Sequence, residues 1–219
     1  MRMERIDDLQ WNGLVLLQDD ETACFSQDAT LLCAFLRLKK SDRVVDLGCG
    51  NGILCVLGQG TTGASFTGVD KQQRLIELAR RSAQRNGQDI RFETADVSDA
   101  PALLGHGAFT AAVCNPPYFT AGDESKNASR AAARHGRDAL DLFLRAAFLL
   151  LKNGGRLFLC FPTERLCDAL AQLKACRLEP KRMQLVAASP EKAPHLALIE
   201  SKKLAKPGLR LEPVKFLRA

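Results

Sequence analysis

The sequence predicts an α/β domain whose mostly parallel sheet is covered by helices on both faces. Three observations predict it. From Arg43 onward, short apolar runs rich in Val, Leu and Phe alternate with longer stretches of helical pattern. One run, Val44-Val45-Asp46-Leu47, passes directly into Gly48-Cys49-Gly50-Asn51-Gly52 and then into a short apolar helix. The composition of the 219 residues, 46% hydrophobic and 26% charged with 16 Gly and 9 Pro, is that of a globular chain with ample length for one large core. Collagen-like, disordered and small disulfide-stapled classes are excluded.

The elements follow in order. Leu14–Gln18 reads as a short strand and Asp28–Leu38 as a helix, with Asp28 at the N-terminal end where an acid is favoured. Residues 1–40 are therefore expected to form a lead packed on a main domain spanning 41–219. Strands are expected at Arg43–Leu47, Ser65–Val69, Ile90–Glu93, Phe109–Cys114 and Arg156–Phe161. Helices are expected at Lys71–Asn86, Asp138–Lys152 and Thr163–Cys176, the second stopped by Lys152-Asn153-Gly154-Gly155. Two closing runs, Arg182–Ala188 and His195–Ser201, are joined through Pro190 and Pro194 and suit an antiparallel pair at one edge. The main sheet is expected to hold seven strands. Asn115–Arg137, 23 residues after a strand, is the one long irregular stretch, a length that usually carries function or disorder.

The net charge of +6 is unevenly placed, at −2 over residues 1–151 and +8 over 152–219. A basic end is a footprint for a polyanion, or simply a solvated surface. The longest charge-free stretch, Leu47–Val69, holds seven Gly besides Asn, Gln and Thr, so it is no bilayer span. Charges crowd the first eight residues where a secretory signal needs an apolar core. A cytoplasmic location is expected. The eight cysteines (Cys24, Cys33, Cys49, Cys55, Cys114, Cys160, Cys167 and Cys176) contain no C-x-x-C, and several sit in apolar runs as small hydrophobes do. Reduced thiols and no metal are expected.

Glycines after the first strand let the backbone turn sharply and approach a ligand at the carboxyl ends of the strands. Asp70 closes the next strand, 18 residues past Gly52, where a carboxylate accepts hydrogen bonds from ribose hydroxyls. The loop is Gly-x-Gly-x-Gly rather than the dinucleotide form Gly-x-Gly-x-x-Gly, which disfavours a nicotinamide-dependent oxidoreductase. A second cluster follows the fourth strand: Asn115-Pro116-Pro117-Tyr118-Phe119. Prolines fix φ and remove donors, leaving rigid free carbonyls. The Asn115 side-chain oxygen and the Pro116 carbonyl would hold both hydrogens of a planar NH₂, and Tyr118, the only tyrosine, would stack on its ring. Catalysis at such a site is mainly positioning.

Asp46-x-Gly48-x-Gly50-x-Gly52 resembles the first motif of class I S-adenosylmethionine-dependent methyltransferases. The resemblance implies a Rossmann-like fold, Gly48 and Gly50 along the methionine part of the cofactor, Asp46 near its ammonium, and Asp96 at the adenine amino group. An acid at position 96 serves equally as a helix cap or an exposed loop residue. Asn115-Pro116-Pro117-Tyr118 resembles the signature of amino-methyltransferases acting on adenine N6, cytosine N4 or a glutamine amide. Phe25–Leu32, Asp46–Gly52, Asn115–Phe119, Ala133-Arg134-His135 and the Gly154-Gly155 turn, in that order, resemble the bacterial tRNA adenine-N6 methyltransferases that modify adenosine 37 of a valine tRNA. Phe25 and Asp28 are then implied to close the methionine side, with Phe119, Arg130 and Arg134 beside Tyr118 at the RNA. The alanine-rich stretch Ala128–Ala133 departs from that pattern. The expected protein is a monomeric tRNA adenine-N6 methyltransferase. Methylation of glutamine in a release factor is the alternative, in a family that adds a helical domain ahead of the glycine loop. A non-catalytic RNA-binding module is the third reading.

Overall fold

In the computed structural model, which describes residues 4–19, 27–116 and 140–217, two sheets are present. The small one is a hairpin of β1 (Glu4–Asp8) and β2 (Val15–Asp19). The large one is built from β3 (Arg43–Leu47), β4 (Ser65–Asp70), β5 (Arg91–Thr94), β6 (Phe109–Cys114), β7 (Leu151–Pro162), β8 (Leu178–Ala187) and β9 (Leu196–Lys203). Two short strands, β10 (Arg210–Leu211) and β11 (Lys215–Phe216), lie along the outer side of β8. The order across the large sheet is β5-β4-β3-β6-β7-β9-β8. All neighbours are parallel except β9, which runs antiparallel to both β7 and β8.

The α/β class with a mostly parallel sheet is as expected, with nine strands in place of seven. The expected antiparallel pair at one edge is β8 with β9; the strand that runs against the rest is β9, one place inside, because β8 passes beyond β7 and β9 returns into the gap. β3 and β6 are adjacent although β4 and β5 intervene in the chain. After β3 the strands step outward in one direction, and from β6 they step in the other. That reversal opens a crevice at the carboxyl ends of β3 and β6, the place where open α/β sheets bind ligands.

Alternation along the strands sorts the core into two layers. Val44, Phe66, Ala111, Val113, Phe158 and Cys160 face one side, with α1 (Gln27–Phe35) and α2 (Ile53–Thr62). Val45, Leu47, Ala112, Cys114, Leu157 and Leu159 face the other, where the helix over residues 140–150 (α5) contributes Leu140, Leu144 and Leu150. A short α4 (Ala100–Leu104) precedes β6, and α6 (Leu166–Ala175) follows a single 3-10 turn after β7.

The N-terminal hairpin lies on α3 (Gln73–Arg85). Leu17 packs between Leu75 and Leu78. Asn86 exchanges two hydrogen bonds with the backbone of Val15, and the Ser82 hydroxyl accepts from Leu17 N at 2.9 Å. β1 was not expected because Glu4-Arg5-Ile6-Asp7-Asp8 is almost wholly charged. It forms because β2 supplies a ladder and because Glu4 bridges Arg74 and Arg81 across to α3. The helical stretch expected over Asp138–Lys152 is described from 140 and ends at 150; β7 then starts earlier than expected, with a bulge between the Phe109–Leu151 and Ala111–Arg156 pairs. The buried Lys203 Nζ donates to the carbonyls of Phe148 and Leu151, placing a cation at the end of α5, where the helix dipole favours one.

Arg182 on β8 ties the far edge together. Its guanidinium lies 3.6 Å from the Phe35 ring centroid, donates to the Phe35 carbonyl at the end of α1, and pairs with Glu200 and Glu212. Arg182→Met leaves the largely buried Glu200 without a cation and Glu212 with Arg37 alone. We expect it to cost about 3 kcal/mol of unfolding free energy in urea denaturation; a loss below about 0.5 kcal/mol would show that the cluster holds nothing in place.

Candidate active site

The site begins where β3 ends. Gly48 N and Cys49 N both donate to the Val69 carbonyl of β4, so the chain turns over the neighbouring strand. Gly50 has φ +54°, and a Cβ there would meet nothing within 4 Å, so the backbone faces open space at this point. Gly52 serves a different need. A Cβ there would lie 2.9 Å from Ala79 Cβ and 3.1 Å from the Phe92 ring, so its absence lets α2 start against α3 and β5.

Asp70 braces this loop. One of its oxygens accepts from Gly50 N at 3.0 Å and the other from Gln72 N at 2.9 Å. Each carboxylate oxygen retains a further lone pair. Asp46 is 1% exposed and nearly without support: Oδ2 accepts from the Cys55 thiol at 3.5 Å, while Oδ1 has no partner among the described residues. Burial pushes its carboxyl up to about 7, the Cys55 thiol opposes the rise, and the Asp70 charge adds to it. A buried carboxylate oxygen with no donor is costly in isolation and is a ready acceptor for a cationic ligand. The buried Asn51 Nδ2 also has no partner among the described residues.

β6 delivers the second half. Leu47 of β3 is paired with Cys114 of β6, so Gly48 and Asn115 leave the sheet side by side. Asn115 is half-buried, with its Oδ1 3.0 Å from the buried Cys160 thiol of β7, and Pro116 is buried behind it. Burial holds the Cys49, Cys55 and Cys114 thiols far above their ordinary range, Asp46 repulsion adding in each case, so these are neutral donors and not nucleophiles. Neither Cys55 nor Cys160 was singled out in the sequence as more than a small hydrophobe. Parallel pairing of β6 with β7, which puts Leu159 opposite Cys114, is the signal that brings Cys160 to Asn115.

The remaining expected residues fall as follows. Asp28, half-buried in the first turn of α1, has its carboxyl raised by burial, with the charge of His195 pulling the other way. Asp96 is exposed and its Oδ1 accepts from the backbone N and hydroxyl of Ser98, contacts that also lower its carboxyl pKa. Its described contacts are those of a turn cap ahead of α4. Phe25, Tyr118, Phe119, Arg130 and Arg134 lie outside the described residues. The seven described cysteines are all free thiols, and no cluster of metal-ligating side chains occurs among the described residues. No helix among them is long and apolar enough to cross a membrane.

Because the folded protein raises Asp46 above its ordinary carboxylate value, the native state binds that proton more readily than the unfolded chain does. Its stabilising contribution is complete in acid and is lost as pH rises through about 7. Asp46→Asn is therefore expected to raise the melting temperature of the ligand-free protein relative to the parent at about pH 8, and to change it much less at about pH 5. An offset equal at both pH values would mean that Asp46 does not titrate in this range.

Comparison with known proteins bears on what binds here. The family model described as "Methyltransferase small domain" matches residues 23–172. The chain is 32% identical over 181 residues to the tRNA1(Val) (adenine(37)-N6)-methyltransferase of Vibrio vulnificus, covering 80% of this chain and 74% of that one. It is 27% identical over 177 residues to the protein of the same name from Shewanella sediminis, covering 78% and 72%. Among solved structures, an Agrobacterium tumefaciens protein described as a predicted O-methyltransferase superimposes with a TM-score of 0.71 at 21% identity, over 86% of each chain, which shows the shared fold. With two thirds of its length matched, glycine loop and β6 exit included, the chain belongs to the methyltransferase small domain family.

Proposed function

We propose that this protein transfers a methyl group from S-adenosylmethionine to the exocyclic N6 of adenine in tRNA, at adenosine 37 of a valine tRNA. The cofactor is S-adenosylmethionine, which supplies an activated sulfonium methyl when bound. The observation that carries the reading is the pairing of Leu47 with Cys114, because it sets a cofactor-type glycine loop and Asn115-Pro116 at one lip of the sheet. The names of the curated relatives support the choice of substrate.

The residues present fit the cofactor. The unpartnered Asp46 Oδ1 is the buried acceptor that an α-ammonium needs. Gly50 leaves open space where a side chain would intrude, and Asp70 keeps lone pairs for ribose hydroxyls while bracing the loop. Gly48 and Asp28 are assigned to the methionine side together with Phe25, and Asp96 to the adenine amino group through the oxygen that Ser98 leaves free.

On the acceptor side, Asn115 and the Pro116 carbonyl take the two hydrogens of the adenine amino group. An aryl NH₂ is a weak nucleophile because its lone pair is delocalised into the ring. Two acceptors out of the ring plane favour a pyramidal nitrogen and turn that lone pair toward the methyl. Tyr118 and Phe119 stack on the base, and Arg130 and Arg134 meet the RNA backbone. The half-buried position of Asn115 next to the fully buried Cys160 keeps its amide fixed, so that the contribution is orientation. No strong base is required, since the nitrogen becomes acidic once alkylated.

Asn115→Ala is expected to lower methyl transfer by about a hundredfold or more, while S-adenosylhomocysteine still raises the melting temperature as it does in the parent. Loss of that rise would move Asn115 from the acceptor side to the cofactor side. Incubation of the parent with labelled cofactor and total unmodified tRNA, followed by nucleoside mass spectrometry, should give N6-methyladenosine in a single tRNA species. Label on a protein glutamine with none in RNA would contradict the proposal.

A further inference from the structure

We infer that the ribbon of chain from Lys206 to Phe216, along the outer edge of the large sheet, is a docking surface for the RNA backbone that flanks the target base. The inference rests on the RNA reading proposed above and adds a place on this chain where the flank is held. β10 and β11 run parallel to β8, with Arg210 opposite Arg182 and Lys215 opposite Val186. β8 in turn runs in the direction of β3 and β6, since β9 is antiparallel to both of its neighbours. The ribbon therefore climbs the edge toward the end of the sheet where Asn115 emerges. From β6 it lies four strand spacings away, about 19 Å. That is beyond a flipped nucleotide and within the span of the RNA on either side of one.

Its chemistry is that of a surface made for a polyanion. Lys206, Arg210 and Lys215, the three cations of the ribbon, have no carboxylate within 4 Å among the described residues. Glu212, the one acid between Ser201 and Leu217, is held by Arg37 and Arg182 and offsets none of the three ribbon cations. Interleaved with the cations are apolar side chains open to water, Leu209 at 42%, Leu211 at 64% and Phe216 at 43% exposure. Cations alternating with flat and aliphatic groups suit a sugar–phosphate backbone, where charge neutralisation supplies most of the affinity.

A second copy of this chain is the poorer occupant. A two-fold contact through this ribbon would set the unpaired cations against themselves. The edge also offers only two strands of two residues each, separated by a stretch containing Pro213, which is a poor template for strand addition.

The test is binding of unmodified tRNA, and of a short single-stranded oligonucleotide carrying the target adenosine, to the parent and to Lys206→Glu/Arg210→Glu/Lys215→Glu. Fluorescence anisotropy over a series of salt concentrations reads affinity and salt slope. The triple variant should bind tRNA about tenfold more weakly with a salt slope smaller by about 2. Its affinity for the short oligonucleotide and its thermal response to S-adenosylhomocysteine should match the parent. If the reversal does not fold, the triple glutamine variant is expected to give the same loss of slope. Equal tRNA affinity and slope in a parent that methylates tRNA would overturn the ribbon and leave the proposed reaction standing. A parent that neither binds nor methylates tRNA would overturn both. A dimer in sedimentation that Leu211→Ser dissociates, with RNA affinity unchanged, would assign the ribbon to self-association instead.

Discussion

The register between β3 and β6 is the constraint on which the candidate site depends. Two segments more than 60 residues apart in sequence are brought into contact only because β6 pairs with β3 and not with β5, its predecessor in the chain. Within that pairing, Leu47 against Cys114 sets both exits at the same height. A slip of β3 by one residue would turn Asp46 to the opposite face of the sheet, away from Asn115, and exchange Val44 for Val45 in the two cores. Register and core composition thus enforce each other, and the site inherits its geometry from the packing of Val, Leu and Ala several residues below it.

Electrostatics then distinguishes the two halves of the lip. On the β3 side a carboxylate is buried with one oxygen unsupported, beside a second carboxylate that accepts one backbone amide on each oxygen. On the β6 side the polar group is a neutral amide contacted by a buried thiol. The first half is matched to a cation and the second to an uncharged donor of hydrogen bonds. A methyl donor with an ammonium tail and an aromatic amine have those characters, in that order. The thiols of Cys49, Cys55 and Cys114 fill the interior around Asp46 without adding charge, since burial keeps them protonated.

Much of this was legible before any coordinates. The strands Arg43–Leu47 and Phe109–Cys114 were bounded correctly because each is a short, mostly apolar run that meets a strand breaker, Gly48 in one case and Asn115-Pro116 in the other. Elements held by distant partners were less visible. β1 carries four charges in five residues and exists through Arg74 and Arg81 on α3; β10 and β11 are two residues each and exist through β8. At the site, Gly50 and Asp70 were marked by spacing and Asp46 by the family resemblance, whereas Cys55 and Cys160 look like core residues in the sequence and gain their polar contacts only from the fold. Asp96 carried two readings in the sequence, and its contacts with Ser98 engage one oxygen only, which leaves room for both.

The most direct measurement is a crystal structure of the protein soaked with S-adenosylhomocysteine. The amino group of the ligand should lie against Asp46 Oδ1, its adenosine over Gly50 and Asp70, and its sulphur should face the Asn115 side chain across the lip. A ligand seated elsewhere, or one in this cleft whose sulphur points away from Asn115, would contradict the assignment of β3 and β6 to the two sides of a methyl transfer.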